Sequence, residues 1–494
     1  MPHSPSSPMI YTLGLLLYVM VAFPGITSAD DILVVFNVEE KLPVQKTNKN
    51  FLNVAIDTSQ MMKNFSNIDI RDDKLVKLMK PLAPGYLRIG GNMASSLLFD
   101  PNVTITLYSD ADYEMRKEFT MSATVWDDLN NLAKRSGLKI LFDLNYLTRL
   151  DGDKWDPSNA EELIKYSAKR NYSLDWELGN EPNLYPKHFN YTPKPEQMAE
   201  DFSTCRNLLN SYPIYNTSLL VGPATTRPTT MTTPASKILS GFVKHGKDYV
   251  DAVTWHHYYF DGREANISHF MNPDVFNLLD TQITNSKEIL KEAGAKKKSM
   301  WLGETSSAFG GGAPGLSNTF VATFIWLDKL GLAARQGIDL VIRQALFGGN
   351  YSLLDSDLNP LPDWWLSIIY KKLVGRRVAP CKIFAPAEVR LYCHCARKVF
   401  QGTKSVVLFG LNVKDSAENV KIAEYAGDVW EYRLSAKYLT SKKMQLNDKT
   451  LSVTSDGILS RISPVKIKSN NLKIHGHSLV FWIIPMELAS CSLE

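Results

Sequence analysis

The chain has 494 residues, 44% of them apolar and 21% charged, with 28 Gly and 25 Pro, a globular composition that excludes disordered and fibrous classes. Its 55 Lys plus Arg against 51 Asp plus Glu leave a net charge of +4, too small for bulk charge to indicate a nucleic-acid partner. The length allows about two to four compact units, or one α/β barrel of about 250 residues with a smaller domain attached.

The first 29 residues contain no Lys, Arg, Asp or Glu, and residues 10–23 form an apolar run of signal-peptide length that is too short to span a bilayer. Pro24 breaks the run and Thr27-Ser28-Ala29 supplies small residues, so cleavage is expected after Ala29. The alternative is an uncleaved anchor, because only the α-amino group charges the region before the run. In the secretory compartment this implies, the sequons at Asn64, Asn102, Asn171, Asn190, Asn216 and Asn266 are expected to carry glycans. Five Cys are too few for a disulfide scaffold, and in an oxidising compartment an odd count leaves at least one unpaired or intermolecular. Cys393-His394-Cys395 lacks the second ligand pair of a structural zinc site, so no metal is expected, nor any cofactor.

Eight short β-rich runs follow, at 51–57, 86–90, 138–145, 174–179, 218–222, 252–258, 300–304 and 339–344. Runs such as LKILFDLN are apolar nearly throughout, as parallel strands covered on both faces must be, and the stretches between them have helical periodicity. Eight β/α units within residues 46–372 predict a TIM barrel. Residues 373–494 change to short alternating strands with turn signals, which predicts a β-sandwich domain, and residues 30–45 are expected to lend that sheet an N-terminal strand.

A TIM barrel presents its chemistry at the C-terminal ends of its strands. Strand four runs into Asn180-Glu181-Pro182 and strand seven ends in Glu304, so both carboxylates are expected in one mouth. Glycoside hydrolysis needs such a pair: an acid to protonate the departing oxygen, and a carboxylate to attack the anomeric carbon or activate water. Asn180 is suited to a sugar hydroxyl next to the reacting carbon, which makes Glu181 the acid/base. Glu304 is then the nucleophile, with Tyr258, His256 and Arg343 as candidate donors that favour its charged form.

The segments WELGNEPN (176–183), TWHHYY (254–259) and WLGETSSAFGGGAP (301–314) resemble the heparanase family of endo-β-glucuronidases, which cut heparan sulfate. The resemblance continues through 320–332, 341–344, 350–351, 362–375 and the C-terminal β domain. It implies Glu181 as proton donor and Glu304 as nucleophile in a retaining double displacement. It also implies a cleft lined by Asp57, Asn92, Asn145, Asn180, Arg227, His256, Tyr258, Arg263, Gly310, Gly311, Gln344 and Tyr351, where the family holds uronate and glucosamine groups. Taken singly, these have blander readings, a packed histidine or a flexible glycine turn. Gly310–Gly312 lacks the Lys-Ser/Thr of a phosphate-binding loop, yet its backbone N–H groups suit a carboxylate. Asn350 begins a seventh sequon but falls beside this cleft, so no glycan is expected there. Cys395 and Cys491 match the family's C-terminal disulfide; Cys381 and Cys393 are the next candidate pair, leaving Cys205 free on a helix.

The chain departs from the family in two places. Only 37 residues separate Asp100 from Leu138, leaving about 101–120 where family proenzymes carry a long excised insert, so a single-chain enzyme active without processing is expected. The family's basic cluster after strand five is here Arg227-Pro-Thr-Thr-Met231, which weakens attraction to a sulfated polymer. The expected substrate is heparan sulfate, acted on by a secreted, extracellular or lysosomal monomer. Hyaluronan, cut by leech-type hyaluronidases of the same family, is the alternative. A non-catalytic glycan-binding relative is the reading from another class, opposed by the presence of both carboxylates.

Overall fold

In the computed structural model of the chain, eight strands pair in parallel in chain order: Leu52–Asp57, Gly85–Gly90, Leu138–Leu144, Leu174–Leu178, Leu220–Thr225, Ala252–His257, Ser299–Thr305 and Leu340–Arg343. The eighth closes on the first with Val341 opposite Leu52, which makes the expected TIM barrel. The structure describes residues 31–103, 118–398, 402 and 404–492. The expected leader and most of the expected 101–120 linker lie outside them.

Strand alternation sets what the barrel holds. Val54, Ile56, Leu87, Ile89, Ile140 and Phe142 face outward into the main core beneath the helices. Ala55, Tyr86, Leu141, Val221, Trp301 and Ile342 fill the lower interior as a separate cluster, the layered packing that makes such a barrel a core rather than a pore. The helices follow from local signals. In Ala123–Ser136 the Ser122 hydroxyl caps the first turn through Val125 N, Val125, Trp126, Leu129 and Leu132 form the buried stripe, and Gly137 ends the helix at φ 77°.

Two local expectations change. The fifth strand begins at Leu220 and continues through Gly222-Pro223 to Thr225, because the ladder to the sixth strand is irregular between Val253 and Trp255 and leaves room for a residue without an N–H. Within the alternating C-terminal pattern, the run KMQLNDKTLSV (443–453) does not continue as one strand but folds into a tight hairpin pairing Gln445–Leu446 with Lys449–Thr450. Its turn residues Asn447 and Asp448 take φ 47° and 65°, the left-handed pair that a two-residue hairpin requires.

The C-terminal domain sets a four-stranded sheet against a nine-stranded one. The N-terminal strand Ile32–Phe36 joins the smaller sheet between Cys381–Phe384 and Glu418–Ile422, burying Ile32, Val34 and Phe36 against Leu408, Val480 and Trp482. The opposite face of the larger sheet, with Tyr392, Phe409 and Phe481, packs on the barrel. Two helices, Ala322–Arg335 and Pro362–Leu373, are buried nearly all round, as a helix covered on both sides must be. A Cβ at Gly331 would lie 2.3 Å from the Tyr392 ring, so only glycine permits this approach. Disulfides join Cys395 to Cys491 and Cys381 to Cys393, and Cys205 is free and buried.

Candidate active site

The upper interior of the barrel is built on Arg88. It follows Tyr86 by two residues on the second strand and therefore also points inward. Its Nε donates to Glu177 Oε2 at 2.7 Å, one Nη donates to Glu304 Oε2 at 2.7 Å, and the other to Asn180 Oδ1 at 2.9 Å. Asp143 Oδ2 lies 3.7 Å from the same guanidinium. Burial opposes the charge of Arg88, but the carboxylates of Glu177, Glu304 and Asp143 outweigh it and hold the group as a cation. One cation facing three carboxylates leaves an excess of negative charge. It falls on Asp143, whose carboxyl burial and Glu177 together push well above its usual range.

Glu304 enters this cluster through a bulge. Trp301 faces inward and Leu302 outward, so strict alternation would turn Glu304 out. Leu302 pairs with Trp255 and Glu304 with His256, leaving Gly303 as an extra residue that re-aims Glu304 into the mouth. There Tyr258 Oη donates to its Oε1 at 2.6 Å. Burial alone would raise the Glu304 carboxyl, but the charge His256 carries when protonated, Arg88 and the Tyr258 hydroxyl overcome it and hold the group below the usual carboxylate range. Burial keeps Tyr258 itself protonated and hence a donor.

Glu181 sits beyond the end of the fourth strand in a left-handed conformation, φ 51° and ψ 55°, which costs about 1–2 kcal/mol for a residue with a Cβ. Its N–H donates to Ala224 O at 2.9 Å and its carbonyl accepts from Leu184 N, which fixes the turn. Its carboxylate meets His256 Nδ1 at 3.0 Å and makes no contact with Arg88. One ligand atom each of Glu181, His256 and Glu304 lie within 4.8 Å of one another. Two carboxylates and an imidazole also resemble a cation-ligand set, but a guanidinium and a phenol already occupy the two Glu304 oxygens, and a divalent ion would have to displace them.

The other expected site residues divide into groups. Asn180 Nδ2 donates to Asn92 Oδ1, and Gln344 Nε2 donates to Asp57 Oδ2. The rings of Tyr258 and Tyr351 lie 6.5 Å apart. Arg227 is half-buried over the Phe309 ring at 5.2 Å. Arg263 stands at the rim, its side chain 76% exposed and paired with Asp261. Asn145 donates from its amide nitrogen to Leu97 O and accepts at its amide oxygen from Leu147 N. Arg343, read as a donor to Glu304, faces outward and pairs with Asp363 of a covering helix. His256, read the same way, gives its hydrogen bond to Glu181 but still favours the Glu304 anion through its charge. Arg88, Asp143 and Glu177 are the members that the sequence reading missed. Among the sequons, Asn102, Asn171, Asn190, Asn216 and Asn266 are exposed and Asn64 is half-buried.

Gly310, Gly311 and Gly312 take φ 76°, 84° and 86°. Gly311 O accepts from Asn350 N at 2.6 Å, and a Cβ at Gly312 would lie 2.8 Å from Tyr351 N. Gly312→Ala is therefore expected to cost about 1–3 kcal/mol in a denaturant melt and to lower turnover by displacing Tyr351. Wild-type stability would show that the loop does not need this approach.

The profile of glycosyl hydrolase family 79, N-terminal domain, matches residues 42–331. Heparanase of Gallus gallus is 34% identical, covering 90% of this chain and 93% of its own. The hyaluronoglucuronidase of Hirudo nipponia is 35% identical, covering 85% and 91%. A solved structure of a 4-O-α-L-rhamnosyl-β-D-glucuronidase from Fusarium oxysporum 12S shares the fold, with TM-score 0.67 and 15% identity over 91% of this chain and 100% of its own.

Proposed function

The chain belongs to glycosyl hydrolase family 79, and on that premise we propose that it is a secreted, retaining endo-β-glucuronidase that hydrolyses internal glucuronosyl-glucosamine bonds of heparan sulfate. The observation that carries this reading is that one carboxylate oxygen of Glu181 lies within 4.8 Å of one of Glu304, with Arg88 and Tyr258 bound to Glu304 and not to Glu181. Inverting enzymes need about 6.5–9.5 Å between the carboxyl groups to admit a water, whereas retaining ones use about 5–5.5 Å. The carboxylate held against a guanidinium is kept as an anion and serves as nucleophile; the one that meets only an imidazole serves as acid/base.

In the first step a Glu304 oxygen bonds to the anomeric carbon as the bond from that carbon to the leaving oxygen breaks. Glu181 gives its proton to that oxygen. In the second step Glu181 takes a proton from water, the water oxygen attacks the same carbon from the side the leaving group vacated, and Glu304 departs as carboxylate. Two inversions restore the β configuration. Asp57, Gln344, Tyr351 and the Gly310–Gly311 amides orient the uronate, with Arg227 and Arg263 as further cations for the acidic polymer.

A secreted, glycosylated chain accords with the charge-free leader, the exposed sequons and the two disulfides. No helix of the described residues is long and apolar enough to cross a membrane. Hyaluronan is the second reading, favoured by uncharged Thr229, Thr230 and Met231 after the fifth strand and by the likeness to the leech hyaluronoglucuronidase. Incubation of the purified protein with each polymer separates them: shortening of heparan sulfate is expected, and shortening of hyaluronan alone would replace the first reading by the second.

A further inference from the structure

Lys329 lies on the Ala322–Arg335 helix outside the barrel and is fully buried. Its ammonium donates to Thr305 Oγ1, to Ser306 O at 2.7 Å and to His257 O at 3.3 Å, and sits 4.7 Å from the centre of the Tyr259 ring. All three N–H donors are thus directed at the ends of the sixth and seventh strands. Thr305 directly follows Glu304, and Tyr258 directly follows His257. Arg343, Asp363 and Arg227 are the other charged groups that act on the ammonium, and burial is the main force that pushes its pKa down.

The ladder between these two strand ends is irregular at the Gly303 bulge and resumes with His256 opposite Glu304 and His257 opposite Thr305. Its next backbone links are Ser306 N to His257 O at 3.4 Å and Tyr259 N to Ser307 O at 2.9 Å. The Thr305 hydroxyl also donates to His257 O, so Lys329 and Thr305 add a buried side-chain clamp to the ladder just past the bulge. On the same helix, Asp328 accepts from Tyr392 Oη at 2.6 Å and Arg390 Nε at 2.9 Å. The β domain therefore fixes the helix that carries the clamp.

We propose that Lys329 is a positioning residue, whose clamp on the sixth and seventh strand ends sets the Tyr258–Glu304 hydrogen bond and thereby the nucleophile. The proposal rests on the glycosidase reading above. Its test is a double-mutant cycle of Lys329→Met with Tyr258→Phe, assayed on heparan sulfate, or on hyaluronan if only that polymer is cut. Loss of the charge-assisted Tyr258–Glu304 hydrogen bond predicts a kcat about tenfold to a hundredfold lower in Lys329→Met with KM nearly unchanged. In the Tyr258→Phe background the same substitution should lower kcat by less than about threefold, because the contact it sets is already gone. Thr305→Val, which removes the clamp's acceptor while keeping the side-chain shape, should reproduce the loss, and it decides the matter if Lys329→Met does not fold. Unchanged kcat in a folded variant, or an equal loss with and without Tyr258, would overturn the proposal. No turnover by the wild-type enzyme on either polymer would overturn the glucuronidase reading and this one with it.

Discussion

Glu304→Gln is expected to lower turnover by about four to six orders of magnitude while leaving polymer binding intact. An amide oxygen of Gln is too weak a nucleophile to open the glycosidic bond, so the covalent route closes. The fold should survive, because Gln fills the same volume and its oxygen accepts from either Tyr258 or Arg88. It cannot accept from both, and the orphaned donor costs about 1–3 kcal/mol. Glu181→Gln separates the two roles. It leaves the nucleophile in place, so a substrate whose leaving group needs no protonation should still react in the first step and stall in the second, and added azide should restore release. Turnover of the polymer by Glu304→Gln at a wild-type rate would contradict the nucleophile assignment.

Arg88→Met is expected to have the largest effect on stability. It leaves Glu177, Glu304 and Asp143 facing one another without the cation that contacts all three, and removing one partner of a buried ionic cluster costs about 3–5 kcal/mol. The sign with pH follows from Glu304. A carboxyl held low in the fold contributes stability above its unfolded pKa and loses it as pH falls through the folded value. The penalty of Arg88→Met is therefore full near neutrality and shrinks as acid protonates the cluster. In the surviving enzyme the Glu304 carboxyl rises, so the acidic limb of kcat/KM moves to higher pH. Arg88→Lys keeps the charge but not the fork that reaches three groups at once, and it should recover only part of the stability. Denaturant melts across a pH series read the effect directly, and equal stability of Arg88→Met and wild type at neutral pH would contradict it.

The residues that could be read from the sequence are those at the tips of apolar runs. Eight such runs define the barrel, and Glu181 and Glu304 stand out because each follows one and no neighbouring charge obscures it. Arg88, Asp143 and Glu177 are hidden for the opposite reason: each lies inside a run, in GYLRIG, LKILFDLN and LDWEL, where a single charge looks like an interruption. A signal was present. Tyr86 and Arg88, Leu141 and Asp143, and Asp175 and Glu177 are spaced by two, and Arg88, Asp143 and Glu177, one step above Tyr86, Leu141 and Asp175 on the inward face of one barrel, must meet. The same counting shows Arg343 outward, since it follows the inward Ile342. It fails at Glu304, because an extra residue at Gly303 becomes visible only once the partner strand fixes the register. Asn145 stands at the end of the third strand, and its amide also braces the adjoining loops through Leu97 and Leu147, a contact made by loop packing that strand pattern does not reveal.

The retaining mechanism through Glu304 is tested most directly by covalent trapping. The wild-type protein is incubated with a 2-deoxy-2-fluoro glucuronide bearing an activated leaving group, and the modified peptide is located by mass spectrometry. The expected result is one fluoroglucuronyl group attached to Glu304, absent from Glu304→Gln. Attachment at any other residue, or hydrolysis of the reagent with inverted anomeric configuration and no adduct, would contradict the account.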